Sequence, residues 1–118
     1  MGQSMRFTSI PTYHDLELFL AQHKYVVLHV RASWNKYDLE LEKNMLAIRP
    51  ELLEQISLAS IDFDDENLWP YLKELGVRNI PLLLFYLDGK LVGEKMGLVS
   101  SRVLATLLKG FFTFREDV

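Results

Sequence analysis

The sequence predicts an α/β protein: a central mixed β-sheet flanked by helices on both faces and closing with a C-terminal antiparallel hairpin. Three observations carry this expectation. Tyr25 to Val30 and Leu82 to Leu87 are nearly continuous apolar runs, the pattern of strands covered on both faces. Segments with apolar residues at helical spacing, such as Leu41, Met45 and Ile48 and then Leu68, Leu72 and Leu75, alternate with the strand-like runs. Asp88-Gly89, between the last two strand-like segments, is the strongest hairpin signal in the chain.

Taken in order, Phe7 to Ile10 is expected to be a short edge strand, stopped by Pro11, which has no N–H to give to a ladder. Thr12 is the predicted cap of a first helix, with Asp15 favourable to the helix dipole and Leu16, Phe19 and Leu20 at helical spacing. Tyr25 to Val30 is the predicted central strand. From Asp38 the period is helical again, with Leu41, Met45 and Ile48 on the inner face and Glu40, Glu42, Lys43 and Asn44 mostly on the outer one. Pro50 ends or bends that helix, and Glu51 to Gln55 add a turn. Ile56 to Phe63 alternates as a strand. Asp64, Asp65, Glu66 and Asn67 form the acidic start of a third helix that closes at Gly76, with Trp69-Pro70 early enough that the missing proline N–H costs little. Leu82 to Leu87 and Lys90 to Met96 make the hairpin. A last helix runs from about Ser100 to Phe112, capped by Ser100 or Ser101, with Val103, Leu104, Leu107, Leu108 and Phe111 inward. The expected order is β-α-β-α-β-α-β-β-α.

A chain of 118 residues suits one domain, read as 1–118 with a core of about 7–112 and terminal extensions at 1–5 and 113–118. Its 13 basic and 16 acidic side chains are interspersed, without the basic cluster that would neutralise phosphates, so nucleic acid is not an expected partner. No apolar run approaches the roughly 20 residues of a membrane span, and no charged-then-apolar signal pattern opens the chain, which leads to a cytoplasmic expectation without membrane attachment. The chain has no cysteine, which excludes disulfides, thiolate metal sites and thiol catalysis by its own residues. His14, His23 and His29 lack a ligand spacing, and the run Asp62, Asp64, Asp65, Glu66 lacks the glycine and terminal glutamate of a calcium loop. Neither a metal nor a cofactor is expected.

Motifs at the joints of these elements resemble one family. Ala32-Ser33-Trp34 follows the central strand, Gly76-Val77-Arg78-Asn79-Ile80-Pro81 precedes the next, and Asp88-Gly89 is followed by Gly97. In these residues the chain resembles the thioredoxin family from about Phe7 to Phe112. The resemblance implies a thioredoxin-like fold in which Ala-x-Trp leads into Trp-Cys-x-x-Cys, the proline at Pro81 is cis, and the later glycine borders the active surface. Asn35 and Asp38 stand at the positions of the two lost cysteines. His29 falls where the family has a buried aspartate that assists proton transfer, and Ser60 where a lysine commonly lies. The chain is therefore expected to be a redox-inactive relative, because thiol–disulfide exchange requires a thiolate.

The substitutions have a physical reading of their own. Asn35 is among the best helix-capping residues and Asp38 puts a carboxylate in the first turn, contributions of about 1 and roughly 0.3–1 kcal/mol. A reactive helix end is expected to have become a capped one. His29 and Asp38 are placed to approach each other, but a dyad without nucleophile or oxyanion hole has no reaction to run, so His29 is expected to be structural.

The resemblance also implies a binding surface, since in thioredoxins the backbone before the cis-proline pairs with extended peptides. Trp34, Asn35, Lys36, Tyr37, Val77, Asn79, Ile80, Pro81 and Leu98 would surround that backbone here. The expected function is a non-catalytic, thioredoxin-like protein-binding domain, an adaptor, assembly factor or chaperone-like protein whose partner is another protein or an extended peptide. Two alternatives come from other classes: a non-thiol transferase or ligand-binding enzyme using the cleft beside the cis-proline, with Tyr37 as its candidate group, and a structural subunit that binds through its helices.

Overall fold

The strand-like run around Val27 lies at the centre of a five-stranded sheet. The computed structural model describes residues 7–112; the extensions expected at 1–5 and 113–118 lie outside the described residues. In chain order the strands are β1 (Phe7–Ser9), β2 (Tyr25–Arg31), β3 (Ser57–Asp62), β4 (Leu82–Leu87) and β5 (Lys90–Met96). The helices are α1 (Tyr13–Gln22), α2 (Tyr37–Leu46), α3 (Pro50–Leu53), α4 (Trp69–Leu75) and α5 (Ser101–Phe111). The sheet order is β1-β3-β2-β4-β5, with β1 and β2 parallel to β3, and β4 antiparallel to both β2 and β5.

Strand periodicity divides the core in two. Val26, Leu28 and Val30 of β2 point to one layer, where Leu16 of α1 and Leu68, Tyr71 and Leu72 near and within α4 cover them. Val27 points to the other layer, against Leu41 and Met45 of α2, Leu52 and Leu53 of α3, and Leu104 and Leu108 of α5. His29, two residues on from Val27, belongs to that second face and is fully buried. On the first face, the hydroxyls of Tyr71 and Tyr86 hydrogen-bond to each other, and burial pushes the Tyr86 phenol above its ordinary range.

Local signals set the joints. The Thr12 side chain accepts from the Asp15 N–H and the Ser100 side chain from the Val103 N–H, capping α1 and α5. Gly76 ends α4 in the left-handed region at φ 73°, and the Asp88-Gly89 turn has φ values of 52° and 81°. Both positive angles in that pair match the turn whose twist suits a two-residue hairpin.

The structure corrects several expectations. The third strand begins at Ser57 and ends at Asp62 rather than spanning Ile56 to Phe63, and its middle is buried on both faces instead of alternating. The third helix opens with a 3₁₀ turn over Glu66–Leu68, because the Asp65 side chain takes the Asn67 N–H and starts the chain in a tighter turn. Val103, expected inward, is 42% exposed, since the inward stripe of α5 runs through Leu104 and Leu108. Glu42, assigned to the outer face, is buried.

One glycine is required by a neighbour rather than by its backbone. Gly93 on β5 pairs with Phe85 on β4, and a Cβ there would collide with the Phe111 ring. That ring is itself packed on Phe85 at 4.8 Å between centroids. Gly110, by contrast, lies in α5 with nothing within 4 Å of its missing Cβ. Gly93→Ala is therefore expected to destabilise the fold by about 1–3 kcal/mol, and Gly110→Ala to stabilise it by about 0.4–1 kcal/mol, in urea unfolding. Similar effects at the two positions would contradict the packing described.

Candidate functional site at the start of helix α2

Between β2 and α2 the chain makes a tight turn. The Asn35 N–H donates to the Ala32 carbonyl at 3.1 Å, and the Asn35 side-chain oxygen accepts from the Tyr37 N–H at 2.8 Å. Asn35 thus supplies an acceptor to a free helix N–H, but from one position earlier than expected. The residue flanking α2 is Lys36, whose side chain makes no capping bond. The Asn35 amide nitrogen points across to the Ile80 carbonyl at 3.5 Å, and the Pro81 carbonyl accepts from the Gly97 N–H at 2.8 Å. The peptide bond between Ile80 and Pro81 is cis. These contacts bring together the Trp34 turn, the segment before β4 and the segment after β5.

The side chains on this surface differ in how they are held. Trp34 is 64% exposed, and its indole N–H donates to an Asp64 carboxylate oxygen at 2.6 Å. Tyr37 is 46% exposed with the Lys36 ammonium 5.4 Å from its ring centre, a cation–π distance. Leu98 is exposed and Pro81 is buried. Val77 and Ile80 pack partly against the core on the α1 and α4 side, while Asn79 is exposed.

Beneath the turn lies a buried polar chain. His29 Nε2 is 3.1 Å from Asp38 Oδ1, and its Nδ1 is 2.8 Å from Glu42 Oε2. The other Asp38 oxygen accepts from the Ala32 N–H at 2.8 Å, and the oxygen of Glu42 that faces His29 also accepts from the Arg31 guanidinium at 3.3 Å. Among the described residues, no buried side-chain nitrogen or oxygen lacks a partner. Burial alone would lower the His29 pKa, but hydrogen bonds to Asp38 and Glu42 and their negative charge outweigh it and hold the ring above its ordinary 6.5. Both ring nitrogens are engaged by carboxylates, and while the ring is doubly protonated it has no lone pair to receive a proton.

Asp38 and Glu42 are one helical turn apart, so they share a face of α2. That spacing is a readable signal for Glu42. Arg31 and Asp64 carry no comparable signal, because their partners are set by the fold. Among the described residues, no cluster of three or more His, Asp or Glu side chains could hold a metal ion, and no helix is long and apolar enough to cross a membrane.

Solved structures share the fold that carries this site. A mutant thioredoxin from Halobacterium salinarum NRC-1 superposes with a TM-score of 0.77 at 22% identity, covering 98% of this chain and 99% of that one. The fold is thioredoxin-like. A Plasmodium falciparum thioredoxin gives a TM-score of 0.75 at 12% identity, over 89% of this chain and 99% of its own. A Malassezia sympodialis thioredoxin gives 0.72 at 18% identity, over 87% and 89% respectively. Neither a protein-family profile nor a curated protein sequence matches the chain. On this thioredoxin-like scaffold the absence of any cysteine leaves no thiol for disulfide reduction.

Two outcomes follow from the buried chain. The folded His29 pKa lies above the unfolded one, so its stabilisation is complete below pH about 6.5 and is lost as pH rises through the folded value. Unfolding free energies from urea titrations should fall on the alkaline side, by at most about 1.4 kcal/mol per pH unit, and Glu42→Gln should flatten that fall. Equal slopes in both proteins would remove His29 as the cause. Asp38→Ala strips His29 of one buried partner and leaves the Ala32 N–H unpaired, an expected loss of about 3–5 kcal/mol, whereas Asp64→Ala at the exposed indole contact should cost no more than about 1.5 kcal/mol. Chemical denaturation of the two variants checks the contrast.

Proposed function

We propose that this chain is a cytoplasmic, non-catalytic protein-binding domain that takes an extended segment of another protein across the surface formed by Trp34, Asn35, Lys36, Tyr37, Val77, Asn79, Ile80, Pro81 and Leu98. The observation that carries the reading is the exposure of large apolar side chains on a surface without reactive groups. Trp34 and Tyr37 stand out at a turn that is fixed by its own hydrogen bonds, with Leu98 also exposed. Exposed aromatic anchors on a rigid base are the composition that concentrates binding energy in protein interfaces. Holding Trp34 through Asp64 reduces the ordering cost a partner would otherwise meet. Adaptor, assembly-factor and chaperone-like roles all use a surface of this kind.

The test is an affinity capture followed by mapping. Wild type and a Tyr37→Glu/Leu98→Glu double variant, both first shown to be folded, are used to capture partners that are identified by mass spectrometry. The identified partner is then titrated into labelled protein. The expected result is at least about a tenfold loss of affinity in the variant, about 1.4 kcal/mol or more, with amide shifts concentrated at residues 34–37, 79–80 and 98. A partner that binds both proteins equally and shifts helical residues instead would overturn the assignment of this surface.

A further inference from the structure

His29 faces a carboxylate oxygen at each ring nitrogen, 2.8 Å from Glu42 and 3.1 Å from Asp38. A neutral imidazole has one N–H and one lone pair, so only the doubly protonated ring satisfies both contacts. The other elements packed on the ring bring uncharged groups to it: Ser60 of β3 and Leu83 of β4 are its register partners, and the Phe7 ring of β1 meets it edge-on at 6.1 Å. Arg31 reaches the network through Glu42, at 3.3 Å.

The two carboxylates differ in what is open to them when the ring loses a proton. Asp38 is 1% exposed, and its second oxygen is committed to the Ala32 N–H. Glu42 lines a cleft of about 400 Å³ together with Arg31, Ser60 and Asp62, and it already shares an oxygen with the Arg31 guanidinium. Glu42 therefore has both a second cation and solvent within reach, and Asp38 has neither. A buried carboxylate facing a lone pair is costly, so the ring proton should stay with the partner that cannot move.

We propose that Asp38, His29 and Glu42 form a proton-linked latch between β2 and α2, in which Glu42 is the arm that moves. With His29 doubly protonated, Glu42 is held inward. When the Nδ1 proton passes to solvent through the cleft, the Nε2–H bond to Asp38 persists and Glu42 swings toward Arg31 and the cleft. Because Asp38 keeps the Ala32 N–H, the Trp34 turn keeps its anchor in both states, and the change is confined to the wall of the cleft. The inference stands apart from the protein-binding reading and is tested without a partner.

Nitrogen-15 and carbon-13 NMR of the wild-type protein reads it directly. Below the ordinary histidine pKa of about 6.5, both His29 ring nitrogens should be protonated. On the alkaline side the ring should become the Nε2–H tautomer, the Glu42 carboxyl carbon should shift with the same midpoint, and the Ala32 amide should remain protected from exchange. Arg31→Gln, a change at a half-exposed side chain, should move the His29 midpoint upward, since it removes the cation that competes for Glu42. An alkaline Nδ1–H tautomer, a Glu42 carbon without that midpoint, or a midpoint that is unmoved or lowered by Arg31→Gln would each overturn the latch.

Discussion

A histidine hydrogen-bonded on both sides to carboxylates of one helix ties the middle strand of the sheet to the helix that carries the candidate surface. His29 is fixed in the centre of β2, and Asp38 and Glu42 come from successive turns of α2. Charges this deep persist only when paired and hydrogen-bonded, so the geometry of strand and helix is mutually constrained. Asp38 extends the constraint by holding the Ala32 N–H, which fixes where the turn toward Trp34 begins. The exposed side chains of that turn rest on a buried ionic foundation.

This foundation changes what the end of the helix does. On a thioredoxin-like scaffold without cysteine, the free N–H groups at the start of α2 have no thiolate to stabilise. One is taken by Asn35, while the Asp38 carboxylate in the first turn is turned inward to His29 and Ala32. The hydrogen-bonding capacity of the site is spent on rigidity. Rigidity is also what a binding surface needs, because a turn ordered in advance loses less entropy when a partner arrives. In the proposed reading, the features that rule out thiol chemistry and those that favour docking have one origin.

How much of this is legible in the chain depends on the range of the interaction. Thr12, Ser100, Gly76 and Asp88-Gly89 act on backbone groups within a few residues, and each stands where its chemistry predicts. The short 3₁₀ turn at Glu66–Leu68 and the one-residue displacement of the α2 cap escape such reasoning, since tertiary contacts adjust the first turn of a helix after propensity has chosen it. Glu42 departs from its expected outer face for a different reason: a glutamate at the edge of a helical stripe reads as solvated unless a buried cation waits opposite. The available signal is its spacing, one helical turn from Asp38, which is itself expected near His29.

The sequence by itself determined the fold class, the identity and order of the main elements, and the absence of thiol chemistry. Those properties follow from apolar periodicity, local turn chemistry and residue type, which are carried by neighbours along the chain. Only the tertiary structure decided that His29 meets two carboxylates, that Arg31 joins them through Glu42, that Asp64 holds Trp34, and that Asn35 reaches toward Ile80. Each of these joins residues on different segments of the fold, and their energies depend on burial and on angles that exist only once the sheet and helices have packed.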